Sequence, residues 1–296
     1  MSFIKNYFLP LFFASRPKTL VAGLCPIVVG ASYAFYFVGK LDIFYLTTLV
    51  VSSVSIQIAT NFFNDALDSD KGRDGSKRLG PKRAAATGAL TSSFLKRAAC
   101  VLLVLAFALG FVLALKAGFW IFLIGLPALA LAYLYTGSKH ALSTSGTADL
   151  FVVLYFGIIP VWATTYILSD VSSFDAFWSG LQMGLFANVL LLINNLRDFD
   201  EDLENNKKTL VVRFGRGFGL WFLAFCSLSP YAVHLLIDPI FFRAGLWSLP
   251  LIVVSLFILF KVYKNSPSAR YNAYLGMTAL NLLFFTYFVS LGVISS

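Results

Sequence analysis

Hydrophobic residues in this chain come in long blocks separated by short polar loops. Nine stretches carry no charged side chain: 19–39, 43–64, 98–115, 117–138, 150–169, 176–196, 217–237, 244–260 and 271–296. About 20 apolar residues cross a hydrocarbon core. Backbone polar groups in lipid have to be satisfied within the segment, so each stretch predicts a helix. The stretch 244–260 is the shortest and the most marginal. The pattern predicts an all-α, polytopic membrane protein of nine transmembrane helices, forming one integral-membrane domain over 1–296. The piece before the first helix, "FIKNYFLPLFFASRPK", predicts an amphipathic stretch lying in the interface. Polar Arg16-Pro17-Lys18 ahead of the first apolar run, with no clear cleavage pattern after it, argues against a signal peptide.

The loops then orient the helices. All but three of the 23 basic residues fall on one side if the N-terminus is cytoplasmic; Lys40, Lys116 and Arg243 fall on the other. That asymmetry is the positive-inside pattern, so the net charge of +9 is mostly a topology signal. Basic residues scattered over short loops argue against a nucleic-acid partner. Only 12% of residues are charged and mean hydropathy is +0.80, against about 25% charged in soluble domains. Cys25, Cys100 and Cys226 stand alone in apolar segments with no metal or redox spacing. His140 and His234 are too isolated to suggest a metal site.

Two loops are longer than the rest, 65–97 and 197–216, and both follow even-numbered helices. Nine of the 14 acidic residues sit in them: Asp65, Asp68, Asp70 and Asp74 in the first, Asp198, Asp200, Glu201, Asp202 and Glu204 in the second. "NFFNDALDSD" closes the second helix and "NNLRDFDEDLE" closes the sixth, a weak internal repeat of the kind that frames binding cavities. Gln57, Asn61, Asn64 and Asp68 share one helix face, as do Asn194, Asp198 and Asp202. Amides inside a membrane helix are costly and usually face a bundle interior or wet cavity. Each helix therefore predicts a polar stripe ending in carboxylates, with basic residues following.

Carboxylates that face one another need a cation between them. Hard oxygen donors with a few waters suit Mg2+, above all where phosphates share the coordination, and nearby Lys and Arg suit a diphosphate. A diphosphate ester in an apolar bundle suggests an isoprenoid, with the 31 Phe available to surround its tail. Metal ions and cations would stabilise the departing diphosphate. An electron-rich aromatic ring held nearby would attack the allylic carbon, and excluding water protects that carbon from hydrolysis. No Ser/His/Asp or Cys/His nucleophile is apparent. A transporter lined by the polar stripes is the reading from another class. The clusters lie at one membrane side rather than the midplane, which argues against it.

The blocks "RPKTL" at 16–20, "NDALDSDKGRD" at 64–74, "GPKR" at 80–83, "AYLYTG" at 132–137, "NNLRD" at 194–198 and "KKTLVVRFG" at 207–215 resemble the UbiA-type intramembrane aromatic prenyltransferases. Within them the chain most resembles the branch that prenylates 1,4-dihydroxy-2-naphthoate in menaquinone synthesis. The resemblance covers residues 14 to about 217; beyond it the chain adds only apolar character. It implies a nine-helix bundle around a central cavity open to the cytoplasmic side, in a bacterial inner membrane. It implies Mg2+-dependent transfer of a polyprenyl group from a polyprenyl diphosphate to the carboxyl-bearing carbon of dihydroxynaphthoate, with loss of CO2 and diphosphate, giving demethylmenaquinone. Other acceptors in the same reaction type are 4-hydroxybenzoate, homogentisate and haem.

By the same resemblance, Asn64, Asp68, Asp198 and Asp202 form the metal–diphosphate shell, with Asp65 and Asp74 ligating or orienting it. Asn61, Lys71, Arg73, Arg83, Arg197, Lys207 and Arg213 belong to the substrate-binding set. Arg16 and Lys18 are expected to reach diphosphate or the acceptor carboxylate, and Tyr135 to position the acceptor or the allylic group. Arg16, Lys18 and Arg213 fit equally as interfacial anchors, and Tyr135 fits an aromatic belt. Asp149 opens the fifth helix, where an acid suits either the helix dipole or a substrate. Asn206 stands where the pattern has glycine, which allows a different turn there, and "SKHALSTSG" at 138–146 departs from the family.

Overall fold

The computed structural model describes residues 8–73, 78–138, 141–234 and 246–296. Helices account for all the regular structure among them. A short interfacial piece, α1 (Leu9–Ala14), leads into α2 (Pro17–Val38), α3 (Ile43–Asp70), α4 (Ser92–Ala117) and α5 (Phe119–Gly137). One turn, α6 (Leu142–Ser145), precedes α7 (Ala148–Ser169) and α8 (Phe174–Arg197). The second polar loop holds α9 (Phe199–Glu204); α10 (Leu210–Val233), α11 (Leu251–Lys264) and α12 (Tyr271–Ser295) complete the chain. Exposed Phe12 and Phe13 on α1 suit a piece lying against lipid.

Eight of these helices are long and apolar enough to cross a membrane: α2, α3, α4, α5, α7, α8, α10 and α12. The expected segment 244–260 is represented by α11, with only 14 residues. At 1.5 Å per residue that is about 21 Å, short of a ~30 Å hydrocarbon core. Residues 244 and 245 of that segment lie outside the described residues.

The helix starts follow local capping chemistry. Asp42 Oδ1 accepts from Phe44 N at 2.9 Å to begin α3, and Thr91 Oγ1 accepts from Phe94 N at 3.2 Å to begin α4. Ser173 and Thr209 cap α8 and α10 in the same way. In α7 a π-turn at Leu154–Ile158 sits just ahead of Pro160, whose missing N–H breaks the regular ladder.

α8 is the central post, packed by α2, α7, α10 and α12. Its crossing with α7 is a glycine seam. A Cβ on Gly157 would stand 2.3 Å from Gly180 O, and one on Gly184 would stand 2.4 Å from Val153 O. Small residues let membrane helices approach to backbone contact, where packing rather than hydrophobicity drives association. Interhelical polar bonds supplement it: Tyr33 Oη with Ser179 Oγ at 2.9 Å, and Gln182 Nε2 donating to Pro230 O at 2.8 Å. At one end of the bundle Lys116 and Asp170 join the ends of α4 and α7 at 3.0 Å. The long polar loops and the basic residues that follow them gather at the opposite end.

Candidate active site

The last turns of α3 are buried from Asn61 to Asp68, and each of their four polar side chains makes at least one hydrogen bond. Asn61 Nδ2 donates to Ser15 O at 2.8 Å and Thr19 Oγ1 at 3.2 Å, tying α3 to the start of α2. Asn64 Oδ1 accepts from the Thr136 hydroxyl at the end of α5. Asp68 takes Arg83 Nη1 at 2.7 Å on one oxygen and Arg73 Nη1 at 3.3 Å on the other, while the same Arg83 nitrogen donates to Asn64 O at 2.6 Å. Asp65 points the other way: its oxygens accept from Ala84 N and Ala85 N at 2.9 and 3.0 Å, so it holds the returning loop. Lys71 Nζ donates to Thr136 O at 2.6 Å, and burial and the nearby Arg73 push its ammonium below the usual lysine range.

The second cluster departs from the predicted continuous stripe. α8 stops at Arg197, Asp198 caps it, and a new helix, α9, carries Asp202. At the junction Asp198 leaves helical geometry at φ −93°, ψ 14°, and Arg197 Nε and Nη2 fork onto its two oxygens at 2.6 Å each. Asn194 only bonds back to Leu190 O, whereas Asn195 faces a small internal cavity. Asp202 pairs with Lys207 Nζ at 2.9 Å. Burial pushes its carboxyl up to about 6, with Lys207 pulling down and Asp198 and Glu201 pushing up. Burial also raises Glu201, whose Oε2 has no hydrogen-bond partner. Asn206 adopts φ +53°, the left-handed conformation that glycine favours and asparagine tolerates, so the turn survives the replacement.

The two clusters meet. Arg78 of the first loop pairs with Glu201 of α9 at 3.5 Å, Lys207 lies within electrostatic range of Asp68 as well as Asp202, and Gly80 packs against the Arg197 guanidinium. Asn272 at the start of α12 clasps both sides: its Oδ1 accepts from Arg197 Nη1 at 2.7 Å and its Nδ2 donates to Leu79 O at 3.0 Å. Arg16, in the left-handed region at φ 51°, joins them from the α1–α2 junction. Burial and the neighbouring Arg83 and Arg78 lower its guanidinium to about 10, against the opposing pull of Asp65 and Asp68.

Other expected residues stand apart. Lys18 is exposed, with its ammonium beside Gly276 of α12. Arg213 is exposed and braces the α6 turn through Lys208 O at 3.0 Å and the chain at Gly146. Asp74 lies outside the described residues. Arg78, Thr136 and Asn272 escaped the sequence reading. Arg78 was one cation among many in its loop, and Asn272 opens a helix that reads as purely apolar, although a lone amide at a membrane helix end is itself a signal.

Beneath the clusters lies a cavity of about 240 Å³ walled almost wholly by apolar groups, reaching from Thr60 and Tyr135 near the polar end to Leu113, Ile121 and Ile167 far from it. Tyr135 is the hinge between the two environments. It lines the cavity and lies within electrostatic reach of Asp149, Arg16, Asp202 and Asp68. A charged lid over an apolar hollow defines an intramembrane site for an amphiphile with an anionic head.

A model of the UbiA prenyltransferase family matches residues 23–290. The 1,4-dihydroxy-2-naphthoate octaprenyltransferase of Escherichia coli is 33% identical over 78% of this chain and 77% of its own. The protein of the same name from Bacillus subtilis is 28% identical over 71% of this chain and 67% of its own. The structure of a UbiA homolog from Archaeoglobus fulgidus bound to DMAPP and Mg2+ superposes with a TM-score of 0.69, covering 96% of this chain and 99% of that one at 16% identity. The chain belongs to the UbiA prenyltransferase family, as a multi-pass membrane transferase.

Proposed function

We propose that the protein transfers a polyprenyl group from a polyprenyl diphosphate to 1,4-dihydroxy-2-naphthoate, releasing CO2 and diphosphate and giving the reduced form of demethylmenaquinone, demethylmenaquinol, at the cytoplasmic face of a bacterial inner membrane. One observation carries this reading: two acid-and-base clusters, joined by Arg78–Glu201, close the polar end of an apolar cavity. An anionic head and an isoprenoid tail match that division. Relatives named as naphthoate octaprenyltransferases support the acceptor.

Among the described residues no three acidic, histidine or cysteine side chains converge enough to hold an ion alone. Mg2+ does not require that, since it binds through one or two carboxylates plus waters and substrate phosphates. Asn64, Asp68, Asp198 and Asp202 supply hard oxygens of that kind, so the donor set fits. When bound, the divalent ions neutralise the diphosphate and make it a better leaving group. Asp68, Asp198 and Asp202 already hold Arg83, Arg73, Arg197 and Lys207 as counter-ions. Those cations are poised to turn to phosphate oxygens when the carboxylates take metal. Asp65 serves by fixing the 84–85 loop that carries Arg83. The apolar cavity orients the tail and keeps water from the allylic carbon.

Purified protein given Mg2+, octaprenyl diphosphate and dihydroxynaphthoate should release diphosphate and CO2 in equal amounts. Diphosphate without CO2, with 4-hydroxybenzoate or another phenol as the better acceptor, would move the assignment to that acceptor.

A further inference from the structure

One buried acid has no part in the arrangement above. Asp149, in the first turn of α7, is 4% exposed, and its Oδ1 has no hydrogen-bond partner. The paired carboxylates nearby all face Arg or Lys, yet among the described residues no cation pairs with Asp149. Its neighbour Asn188 on α8 also has a buried, unpartnered Oδ1, with Nδ2 turned to Cys226 Sγ at 3.6 Å. The Asn188 amide hydrogen-bonds the Asp149 carboxylate, yet one buried oxygen on each residue is left without a donor, which is costly unless a ligand brings one.

A recess of about 10 Å³, enough for a hydroxyl or one water, opens beside Asp149 and shares Tyr135, Leu142 and Ala148 with the large cavity. Asp149 lines a small internal cavity with Asn195, Thr209 and Tyr135, and Tyr135 also lines the large apolar cavity. Asp149 lies within electrostatic reach of the Tyr135 hydroxyl. The glycine seam of α7 on α8 holds this end of α7 against Asn188, so the carboxylate is set in a rigid frame. The titratable groups facing it are Tyr135 from α5 and Cys226 from α10; Asn188, Asn195 and Thr209 are neutral.

We propose that Asp149 is a catalytic residue, the base that takes and returns the acceptor's hydroxyl proton. This rests on the prenyl-transfer reading. The hydroxyl beside the carboxyl-bearing carbon gives its proton to Asp149, and the oxygen electrons feed into the ring. That carbon then bonds to the allylic carbon as the allylic C–O bond breaks, and the electron pair leaves with diphosphate. Next the bond to the carboxylate breaks, releasing CO2. Its electron pair restores the aromatic ring, and Asp149 returns the proton to the oxygen. Atoms and charge balance with no net proton taken up, so one enclosed carboxylate suffices without a path to solvent.

The test is turnover of the full-length protein in detergent with Mg2+, octaprenyl diphosphate and dihydroxynaphthoate. Asp149→Asn should lower turnover about 10²–10⁴-fold, the usual range for a positioned acid–base group, with octaprenyl diphosphate affinity unchanged. Asp149→Glu should recover part of the rate. The Asn variant should speed up with rising pH as the acceptor ionises unaided, while the native protein should not. Wild-type protein should also fail to prenylate the methyl ether of that hydroxyl, a readout independent of any variant's folding. Native rate and pH profile in Asp149→Asn, or ready prenylation of the methyl ether, overturns the role of Asp149. Wild-type protein that forms no product from dihydroxynaphthoate overturns the prenyl-transfer reading, and this proposal with it.

Discussion

The two halves of the bundle end in matching acidic loops, yet the large cavity among the described residues belongs to one half. The large cavity is walled by α2 to α7, with nothing from α8 to α12. In the second half, α8 is enclosed by α10, α11 and α12 in a continuous apolar core that includes Leu192, Ile193, Leu223 and Val262. The loops differ likewise. The first hangs from the unbroken 28-residue helix α3 and is tied to it through Asp65 and Arg83. The second breaks at Asp198 into a six-residue helix with an unpartnered Glu201 oxygen. On the proposed function, one half would enclose the ligand's tail, while the other is a post carrying the second of two grips on its head.

The largest expected effect comes from removing the centre of the first grip. Asp68→Ala should abolish prenyl transfer. It also leaves Arg83 buried without its counter-ion, a loss of about 3–5 kcal/mol for a broken buried pair. Activity with octaprenyl diphosphate and thermal unfolding in detergent measure the two effects separately. Residual turnover near the native rate would remove Asp68 from the diphosphate site.

Next is the solid half. Gly184→Val places a side chain 2.4 Å from Val153 O, in backbone that cannot yield. Overpacking of this kind costs about 1–3 kcal/mol, and here the upper end or more, because no flexible side chain can move aside. A lowered unfolding temperature with activity lost in proportion to folded protein is the expected outcome.

Much of this was legible in the sequence. Uncharged blocks marked the crossings, and the acid-rich loops marked the polar end. Three things were not, each for a physical reason. Helical spacing carried Asn194, Asp198 and Asp202 along one face, but the backbone leaves helical geometry at Asp198 and restarts as α9, and apolar periodicity does not report a break within a polar stretch. Asp65 looks like its neighbour Asp68 in sequence, yet helix rotation turns it to the amides of Ala84 and Ala85. The seam of Gly157, Gly180 and Gly184 depends on which helices cross, which lies beyond local pattern.

The second grip has its own signature in pH. Burial lifts the Asp202 carboxyl to about 6 from an ordinary value near 3.8. Between those values the folded protein keeps a proton that the unfolded chain has lost, so this group favours the metal-free fold most at the acid end. That contribution fades as pH rises to about 6, by roughly 3 kcal/mol in all. Asp202→Asn should erase this slope. The unfolding temperature of metal-free native protein minus that of the variant, followed from pH 4.5 to 7, measures it. An unchanged slope would mean that Asp202 is ionised throughout.

The hollow half should respond differently from the solid one to the same kind of change. Gly110 and Gly125 line the large cavity, and a Cβ at either meets nothing within 4 Å. Gly110→Leu should leave stability equal or higher, since glycine in a helix interior costs about 1 kcal/mol relative to better helix formers. The added side chain would narrow the hollow, so KM for octaprenyl diphosphate should rise several-fold while that for a short diphosphate such as geranyl diphosphate changes little. Equal effects on both lengths would mean that the tail does not pass Gly110.

The smallest effect belongs to the end of the bundle away from the site. Lys116 and Asp170 pair at 3.0 Å, but the aspartate is largely exposed, and such pairs contribute about 0–1 kcal/mol. Lys116→Ala should therefore leave turnover untouched and shift unfolding by little more than experimental error. The comparison with Asp68→Ala is then direct. Both remove one member of an ion pair between a helix end and a neighbouring element, and they differ in burial and in which end of the membrane they occupy. If Lys116→Ala cost as much activity as Asp68→Ala, the loss in the latter would reflect general loosening of the bundle, and the polar end would have no special claim to the chemistry.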